Sequence, residues 1–399
     1  MENTPAIPGD GQKPELNEQQ SGLYFPEQLL SSSPSSKKRR NFRFPREGAG
    51  TLPSDSLKWR GNSREPINRK IESEDKMNRK IVVLDGWTLN PGDLSWSDLE
   101  ELGEVTVYDR TPADEILSRA EGAAVALTNK VPFTAETIAS LPELRLISVL
   151  ATGVNPIDVE AARRRGIPVS NVPGYSTESV VQSTFAHLLN LASALSYFTS
   201  KTREGTWTAA PDFTFYGLPL VELAGKTFGI VGYGAIGKRV AQVAEAFRMN
   251  VIAYSRSLTP GEKIGSVTAV TLDELFANSD VVSLHCPLTA ENRHMVNRDR
   301  LASMKKSAFL INTARGPLVD PQALADALNE ERLAGAGMDV LTAEPPAETE
   351  PLLSARNCFI TPHNAWATRE ARLRLMAETV ANVRAFFEGT PRNVVNGLG

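Results

Sequence analysis

The chain has 399 residues, of which 41% are hydrophobic and 23% charged, and its formal net charge is −4. At about 150 residues per domain, this length predicts two domains. The slight acidity and the lack of a basic stripe argue against a nucleic-acid partner. No apolar run approaches the roughly 20 residues that a membrane-spanning helix needs, so no membrane partner is expected either.

The first 76 residues differ in composition from the rest of the chain. They contain eight prolines, ten serines and a basic run at 37–40, without a sustained apolar period. Such a segment buries too little surface to offset the entropy of ordering, so we expect residues 1–76 to be disordered or to precede a true start at Met77. The basic run fits a solvated charge cluster better than a localisation or anion-binding patch. The segment lacks the apolar core of a secretory signal, and its acidic residues argue against a mitochondrial transit peptide.

Strand-like and helical runs alternate after Met77. Strands are predicted at 81–84, 105–108, 123–127, 146–150 and 168–171. Helical stretches such as 113–120 and 156–165 lie between them. This pattern is typical of a small parallel-sheet domain.

A long helix predicted at 176–204 leads into a second alternating half. Its strands are predicted at 226–231, 250–254, 281–284, 308–311, 334–339 and 358–361. The expected fold class is therefore α/β, with two Rossmann-like, doubly wound parallel-sheet domains. The last helix, at 368–388, has no strand of its own and is predicted to pack back on the first domain. The substrate domain is then discontinuous, with residues 77–177 and 367–399, and the dinucleotide-binding domain spans 178–366.

The run from Gly232 to Gly237 has the form G-x-G-x-x-G between a predicted strand and a predicted helix. Gly232 permits the tight turn, Gly234 lets a pyrophosphate approach the backbone, and Gly237 lets the helix pack on the strand. The helix begins near Ala235 and Ile236, and its N-terminus offers free N–H groups and a positive dipole end to phosphates. The motif predicts a dinucleotide cofactor.

The end of the next strand bears on the choice between NAD and NADP. An NAD enzyme places a carboxylate there, against the adenosine ribose. This chain has Ser255 and Arg256 instead. A guanidinium can pair with a 2′-phosphate, and no carboxylate repels it. We therefore expect NAD(P)H as cofactor, with NADPH favoured over NADH; the alternative is a solvent-facing Arg256 in a site that still takes NADH.

Further motifs follow other strands, where ligands of an open parallel sheet bind. The glycine-containing turn Thr152-Gly153-Val154 can hold a carboxylate through its backbone amides. Arg315 carries a fork-shaped guanidinium that can bind a carboxylate and polarise a carbonyl together.

The chain has four histidines, whose surroundings suggest different roles. His187 lies in an apolar helix and is predicted to be a core residue, whereas His294 lies in a charged loop and is predicted to be exposed. His285 follows a strand, so it either faces the cofactor or has a structural role. His363 follows the last strand, with Glu344 at a neighbouring strand end. A carboxylate beside an imidazole favours the protonated ring, which can then hand a proton to a carbonyl oxygen.

From Met77 to Gly399 these motifs, in this order, make the chain similar to the D-isomer-specific 2-hydroxyacid dehydrogenases. The segments 85–86 and 128–132 resemble the hydroxypyruvate reductase/glycerate dehydrogenase branch. The resemblance implies that Arg315 binds the substrate carboxylate and carbonyl and that His363 is the general acid for reduction. It further implies that Glu344 pairs with His363.

The resemblance also assigns the remaining contacts. Asp339 would contact the nicotinamide carboxamide, and the amides of the glycine turn would hold the substrate carboxylate. The predicted substrate site consists of Thr152, Gly153, Val154, Arg315 and His363. The predicted cofactor site consists of Gly232, Gly234, Ala235, Ile236, Gly237, Ser255, Arg256, Pro287, Thr313 and Asp339.

The implied reaction is NAD(P)H-dependent reduction of a small 2-oxo acid, hydroxypyruvate or glyoxylate, to the D-2-hydroxy acid, and its reverse. Two alternatives stay open. One is a bulkier 2-oxo acid, and the other is a non-catalytic nucleotide sensor similar to corepressors that keep all three catalytic residues.

Cys286 and Cys358 are predicted to be reduced core residues rather than a disulfide or metal pair, which fits a cytoplasmic protein. The expected assembly is a homodimer.

Overall fold

The protein is described by a computed structural model that covers residues 79–399, so the predictions for residues 1–76 lie outside the described part of the chain. The described residues form two largely parallel sheets with helices on both faces. This architecture confirms the predicted α/β class. The assignment of residues to a substrate and a nucleotide domain stays a prediction.

The first sheet contains β1 (Lys80–Val83), β2 (Glu104–Val107), β3 (Val125–Thr128), β4 (Leu146–Val149) and β5 (Val169–Ser170). These strands are parallel and lie in the order β2-β1-β3-β4-β5. The helices between them are α1 (Ser97–Glu100), α2 (Ile116–Ala120), α3 (Ala135–Ala139) and α4 (Val159–Arg164).

The second sheet contains β6 (Thr227–Val231), β7 (Asn250–Tyr254), β8 (Lys263–Ile264), β9 (Val267–Ala269), β10 (Val281–Leu284), β11 (Phe309–Asn312), β12 (Gly335–Met338) and β13 (Cys358–Ile360). Its order is β13-β12-β11-β10-β6-β7-β9-β8, and only the β8–β9 pair is antiparallel. The direction of winding reverses between β6 and β10. In such sheets the crevice at this switch point binds the ligand.

The remaining helices are α5 (Thr177–Ser193), α6 (Leu195–Arg203), α7 (Ala235–Ala246), α8 (Leu272–Asn278), α9 (Arg298–Ser303), α10 (Pro321–Asn329) and α11 (Arg369–Phe387). Short 3-10 turns occur at Gly86–Thr88, Ala113–Glu115, Gly316–Leu318 and Pro351–Ser354. No helix within residues 79–399 is both long and apolar enough to cross a bilayer.

Alternate side chains of each sheet face opposite helix layers, because successive residues of a strand point to opposite faces. In the first sheet, Ile81 and Val83 pack in one cluster with α11, whereas Val82 packs in another with α2, α3 and α4. In the second sheet, Phe228 packs with α5 and α7, and Val282 packs with α8, α9 and α10. Each sheet is thus buried on both faces.

The last helix, α11, packs on the first sheet although it follows the strands of the second. Its buried side chains share a cluster with β1, β3 and β4. Arg372, which is 9% exposed, donates from both terminal nitrogens to the carboxylate of Asp93, at 2.6 and 2.7 Å. Asn382 also donates to the carbonyl of Asn171, which follows β5. These contacts fasten the end of the chain to the first sheet.

The structure corrects two predictions of secondary structure. The helix predicted at 176–204 is two helices, because Ala194 lies in the left-handed region with φ of 47°. The side-chain oxygen of Asn190 accepts from the backbone nitrogen of Ser196 and so satisfies an amide of the second helix. The antiparallel hairpin of β8 and β9 was not predicted, since its two strands span only two and three residues.

Candidate active site

The glycine turn after β6 has the geometry of a phosphate cradle. Gly232 has φ of 100°, and a Cβ there would lie 2.6 Å from the backbone nitrogen of Cys286. A Cβ on Gly237 would collide with the carbonyl oxygen of Gly232. Around Gly234, by contrast, no other atom of residues 79–399 lies within 4 Å of the Cβ position, and no side chain of this part of the chain caps the N-terminus of α7. The first amides of α7 are therefore open to an anion, and these residues fit a dinucleotide.

The end of β7, where the adenosine ribose is expected, carries hydroxyl and guanidinium groups. Ser255 Oγ lies 3.2 Å from Ser257 Oγ, and Arg256 is exposed. A hydrogen bond with Thr289 lowers the pKa of Glu291, and the charge of Arg256 adds a smaller effect in the same direction. Arg256 therefore lies within electrostatic reach of the loop that follows β10, across the switch point.

The predicted carboxylate site brings a free backbone turn against a guanidinium. A Cβ on Gly153 would lie 2.8 Å from Nη2 of Arg315, so only glycine lets the two groups approach this closely. Arg315 donates from Nη1 to the carbonyl of Ala314, at 2.7 Å, which orients the guanidinium. Within residues 79–399, the amides of Gly153 and Val154 donate no hydrogen bond. Together they can hold a carboxylate.

The predicted acid–base pair forms directly. His363 Nδ1 lies 2.6 Å from Glu344 Oε2, and the two side chains are 28% and 32% exposed. Burial raises the pKa of Glu344, but the hydrogen bond with His363 and its charge outweigh burial, so the pKa lies below its ordinary value. The backbone nitrogen of Leu341 donates to the other oxygen of Glu344. The carboxylate is thus held between the backbone and the imidazole.

Asp339 organises the turn that presents His363. It is 1% exposed, and burial raises its pKa above the ordinary value. Its carboxylate accepts from Thr361 Oγ1 at 2.6 Å and from the backbone nitrogens of Asn364 and Ala365 at 3.0 Å. Asp339 also lines the cleft. The predicted contact with the nicotinamide carboxamide stays a prediction.

Asp85, at the end of β1, holds a loop of the first sheet in the way that Asp339 holds the turn of His363. It is 5% exposed, and burial raises its pKa above the ordinary value. Its carboxylate accepts from the backbone nitrogens of Asn129, Lys130 and Val131, at 2.8, 2.6 and 3.3 Å. The side chain of Asn129 donates to the carbonyl of Leu150, next to the glycine turn. One buried carboxylate therefore fixes the loop after β3, and Asn129 ties that loop to the carboxylate site.

The other histidines differ partly from expectation. His187 is a core residue, as predicted; it is 5% exposed and its Nε2 lies 3.1 Å from Thr361 Oγ1. His285 lines the cleft and contacts Ser283 Oγ at 2.8 Å; burial lowers the pKa of its ring to about 3, so it is neutral at physiological pH. The predicted exposure of His294 is wrong, because the residue is only partly exposed and its Nε2 is buried without a partner among the described residues; its backbone nitrogen donates to the carbonyl of Pro317.

The two cysteines are free thiols, as predicted. Neither is fully buried, because Cys286 lines the cleft and Cys358 lies in β13 with partial exposure. Both pack against the core of the second sheet, and Cys286 also lines the cleft.

One cleft of about 810 Å³ joins the strand ends of both sheets. It is lined by nine of the predicted site residues, namely Thr152, Gly153, Ile236, Pro287, Thr313, Arg315, Asp339, Glu344 and His363. The glycines of the phosphate cradle, Ala235, Val154 and the Ser255–Arg256 pair are not among its lining residues. Val154 packs its side chain on the core of the first sheet.

The cleft also contains residues that sequence reasoning did not assign. Tyr175, 7% exposed, lines it near Arg315, and burial raises the pKa of its hydroxyl to about 12. Trp366 packs edge-on against Tyr175 with ring centroids 6.2 Å apart. Thr88 and Lys130 line the side formed by the first sheet. All four lie shortly after a strand or shortly before a helix. Their position next to these elements is the sequence feature from which they could have been predicted as site residues.

Comparison with known proteins agrees with this geometry. Residues 185–365 match the family model described as D-isomer specific 2-hydroxyacid dehydrogenase, NAD binding domain. A hydroxypyruvate reductase of Blautia hydrogenotrophica is 46% identical over 79% of this chain and 99% of its own length. A glycerate dehydrogenase of Methylorubrum extorquens is 39% identical over 80% and 99%, respectively.

The chain belongs to the D-isomer-specific 2-hydroxyacid dehydrogenase family. The dehydrogenase is therefore an oxidoreductase that uses NAD(P), as predicted. A solved structure of an NADPH-dependent glyoxylate/hydroxypyruvate reductase of Sinorhizobium meliloti, in complex with NADP and malonate, is 30% identical. It superimposes with a TM-score of 0.67 over 78% of this chain and 94% of that one. The two-domain Rossmann arrangement is thus shared.

Proposed function

We propose that this dehydrogenase reduces hydroxypyruvate or glyoxylate to the D-2-hydroxy acid with NAD(P)H, and catalyses the reverse reaction. The observation that carries the proposal is the His363–Glu344 pair, 2.6 Å apart, in the same cleft as Arg315 and the free amides beside Gly153. Relatives bearing the names hydroxypyruvate reductase, glycerate dehydrogenase and glyoxylate reductase support this substrate class.

Residues of the cleft can bind the carboxylate of a 2-oxo acid, orient its carbonyl group and supply the proton for reduction. The guanidinium of Arg315 and the amides of Gly153 and Val154 neutralise the carboxylate and orient the carbonyl. Glu344 holds Nδ1 of His363, which leaves Nε2 to deliver a proton to the carbonyl oxygen. When bound, the nicotinamide supplies hydride to the carbonyl carbon. In the oxidation direction the same imidazole accepts the proton.

A substrate panel with both cofactors tests the proposal. Initial rates with glyoxylate, hydroxypyruvate, pyruvate and phenylpyruvate, each with NADH and NADPH, should show the highest kcat/KM for one of the first two. A preference for phenylpyruvate would favour a bulkier natural substrate. Nucleotide binding without turnover of any 2-oxo acid would instead favour a non-catalytic sensor.

Within NAD(P), we propose a preference for NADPH. Ser255 and Arg256 support it, since no carboxylate stands at the end of β7 to repel a 2′-phosphate. The charge of Arg256 also lowers the pKa of Glu291 slightly, which is consistent with an arginine near the loop that follows β10. The NADP complex of the Sinorhizobium meliloti reductase is consistent with this choice.

We also propose that the enzyme is a homodimer. The segment after α6 exposes large apolar side chains, with Trp207, Phe213, Tyr216 and Leu220 exposed by 54%, 90%, 86% and 62%. Several such residues in one short segment are typical of a protein interface. Light scattering of the purified protein tests the assembly, and Phe213→Glu with Tyr216→Glu should yield a monomer. The absence of a nucleic-acid or membrane partner and the cytoplasmic location stay predictions.

A further inference from the structure

Lys130 is a charged group in the cleft that the proposed reaction does not use. Its side chain is exposed and lines the cleft with Arg315, Glu344 and His363. Within residues 79–399, its ammonium makes no hydrogen bond and no ion pair. Three N–H donors are therefore available to a molecule bound in the cleft.

The backbone of Lys130 is fixed by hydrogen bonds to a buried carboxylate, although its side chain is exposed. Its amide donates to the buried carboxylate of Asp85 at 2.6 Å, and the amides on either side donate to the same carboxylate. The hydroxyl of Thr128 donates to the carbonyl of Val131 within the same turn. A long, flexible side chain thus projects from a rigid base into the substrate site.

The position of this base relative to the carboxylate site is fixed as well. Asn129 donates to the carbonyl of Leu150 at 2.8 Å, so the loop of Lys130 and the glycine turn are joined by a side chain. Thr88 lines the same cleft as Lys130, and its hydroxyl donates to the carbonyl of Asp85, whose carboxylate holds the loop of Lys130. The charge of Lys130 also acts on Glu344. Lys130 therefore lines the same cleft as the Glu344–His363 pair and the glycine turn.

The wall that carries Lys130 is available to the third carbon of the substrate. In the proposed function the carboxylate takes the amides beside Gly153 and the carbonyl faces Arg315 and His363. A substituent at C3 can then reach the part of the cleft that Lys130 and Thr88 line.

We propose that Lys130 donates a hydrogen bond to an oxygen on C3 of the substrate and selects 2-oxo acids that carry one. This inference rests on the proposed function and narrows it. Hydroxypyruvate has a hydroxyl at C3, pyruvate has a methyl group there, and glyoxylate has no third carbon. The ammonium gains a partner only with the first, because a site built to hydrogen-bond an oxygen discriminates against analogues that lack it.

The test compares Lys130→Met and Lys130→Arg with the wild type on these three acids. Lys306→Met is the matched control, since Lys306 is exposed and does not line the cleft. We expect Lys130→Met to lower kcat/KM for hydroxypyruvate by about 10–100-fold, mainly through KM, the usual loss of a charged hydrogen bond. The losses with pyruvate and glyoxylate should be no more than about threefold, roughly the scatter expected when no direct contact is lost.

Lys130→Arg, which keeps the charge, should retain most of the preference for hydroxypyruvate over pyruvate.

If Lys130→Met lowered kcat/KM equally for all three acids, the inference would be overturned. An unchanged kcat/KM for hydroxypyruvate would overturn it as well. A shift of the pH profile that is the same for every substrate would assign Lys130 to the Glu344 pair instead and would also overturn it. If the wild type turns over none of the acids, the proposed function fails and the inference with it, so the two failures are distinguishable. Thermal melting of each variant verifies folding.

Discussion

Asp85 and Asp339 are two buried carboxylates that serve opposite walls of the cleft. Each follows a strand, is at most 5% exposed and accepts backbone amides of the loop after a neighbouring strand. Burial raises the pKa of both. Within the described residues neither carboxylate takes part in an ion pair. Hydrogen bonds, most of them from backbone amides, therefore offset the free-energy cost of burying these carboxylates.

The two differ in what they hold. Asp85 accepts from three consecutive amides and so fixes the shape of a loop whose side chain, Lys130, is free. Asp339 accepts from the hydroxyl of Thr361 and from the amides of Asn364 and Ala365, which directly follow His363. The same arrangement, a buried carboxylate that accepts backbone amides, would thus support the proposed specificity on the first sheet and the proposed proton transfer on the second.

The largest effect should come from removing the group that the Asp339 turn presents. His363→Ala should lower kcat by about 10²–10⁴-fold, the usual contribution of a positioned acid–base group. Cofactor affinity, measured by fluorescence titration, should change little, because the imidazole faces the substrate. His294→Ala is the matched control, since His294 also has a positive φ, of 52°, and lies outside the cleft. Near-normal turnover in His363→Ala would remove this residue from the mechanism.

Replacing the two aspartates in turn should separate their roles. Asp85→Asn and Asp339→Asn should each lower the free energy of unfolding by about 1–3 kcal/mol, because an amide N–H₂ would face backbone donors and leave one unpaired. Urea denaturation measures this loss. At temperatures where both variants are folded, Asp339→Asn should reduce kcat and Asp85→Asn should raise KM for hydroxypyruvate. The same kinetic change in both variants would contradict the division of roles.

The pH dependence of these losses has a definite sign. The pKa of each carboxyl is raised above the ordinary 3.8, so between that value and the raised pKa the folded state binds a proton that the unfolded chain has lost. The contribution to unfolding free energy is largest below pH 3.8 and declines as pH rises through the folded-state pKa. The difference between wild type and each asparagine variant should therefore shrink from acid to neutral pH. A difference that grows with pH would rule out this assignment.

The end of a third strand, β7, carries Ser255 and no carboxylate, so a substitution can introduce one. Ser255→Asp should reverse the preference for NADPH by placing a like charge against the 2′-phosphate. Arg256→Ala should weaken NADPH selectively, by about 1.5–3 kcal/mol if the charged hydrogen bond is well formed. Steady-state kinetics with both cofactors measure these effects. An NADH preference in the wild type would falsify the assignment, and a silent Arg256→Ala would show that Ser255 holds the ribose alone.

The smallest effect should be a displaced pH profile. Glu344→Gln removes the charge that favours the protonated imidazole, so the rate of reduction should begin to fall at a lower pH than in the wild type. Rates measured from pH 5 to 10 would reveal this displacement. An unchanged basic limb would count against the pair, whatever the loss of kcat.

The six strands predicted for the second sheet lie within one residue of their predicted positions, because each is an apolar run flanked by turn residues. The contact between Glu344 and His363 was also predictable, since the carboxyl ends of parallel strands meet at one edge. The helix break at Ala194 was not, because alanine favours helices and the break depends on the side chain of Asn190.

The part played by Asp85 was likewise hidden in the sequence. Its three amide partners lie 44 to 46 residues further along the chain, and no local pattern connects them. The hydrogen bond from the backbone nitrogen of His294 to the carbonyl of Pro317 likewise joins residues that are far apart in the sequence. Such long-range polar contacts require the three-dimensional arrangement of the sheets.

His363 has φ of 50°, a backbone region that costs a residue with a Cβ about 1–2 kcal/mol and costs glycine little. The bonds from the next two amides to Asp339 hold the chain there. Selection for thermostability alone would therefore favour glycine at this position, whereas selection for turnover keeps histidine. A descendant that no longer needed proton transfer would gain stability if His363 were replaced by glycine. The residue at position 363 therefore distinguishes selection for turnover from selection for stability alone.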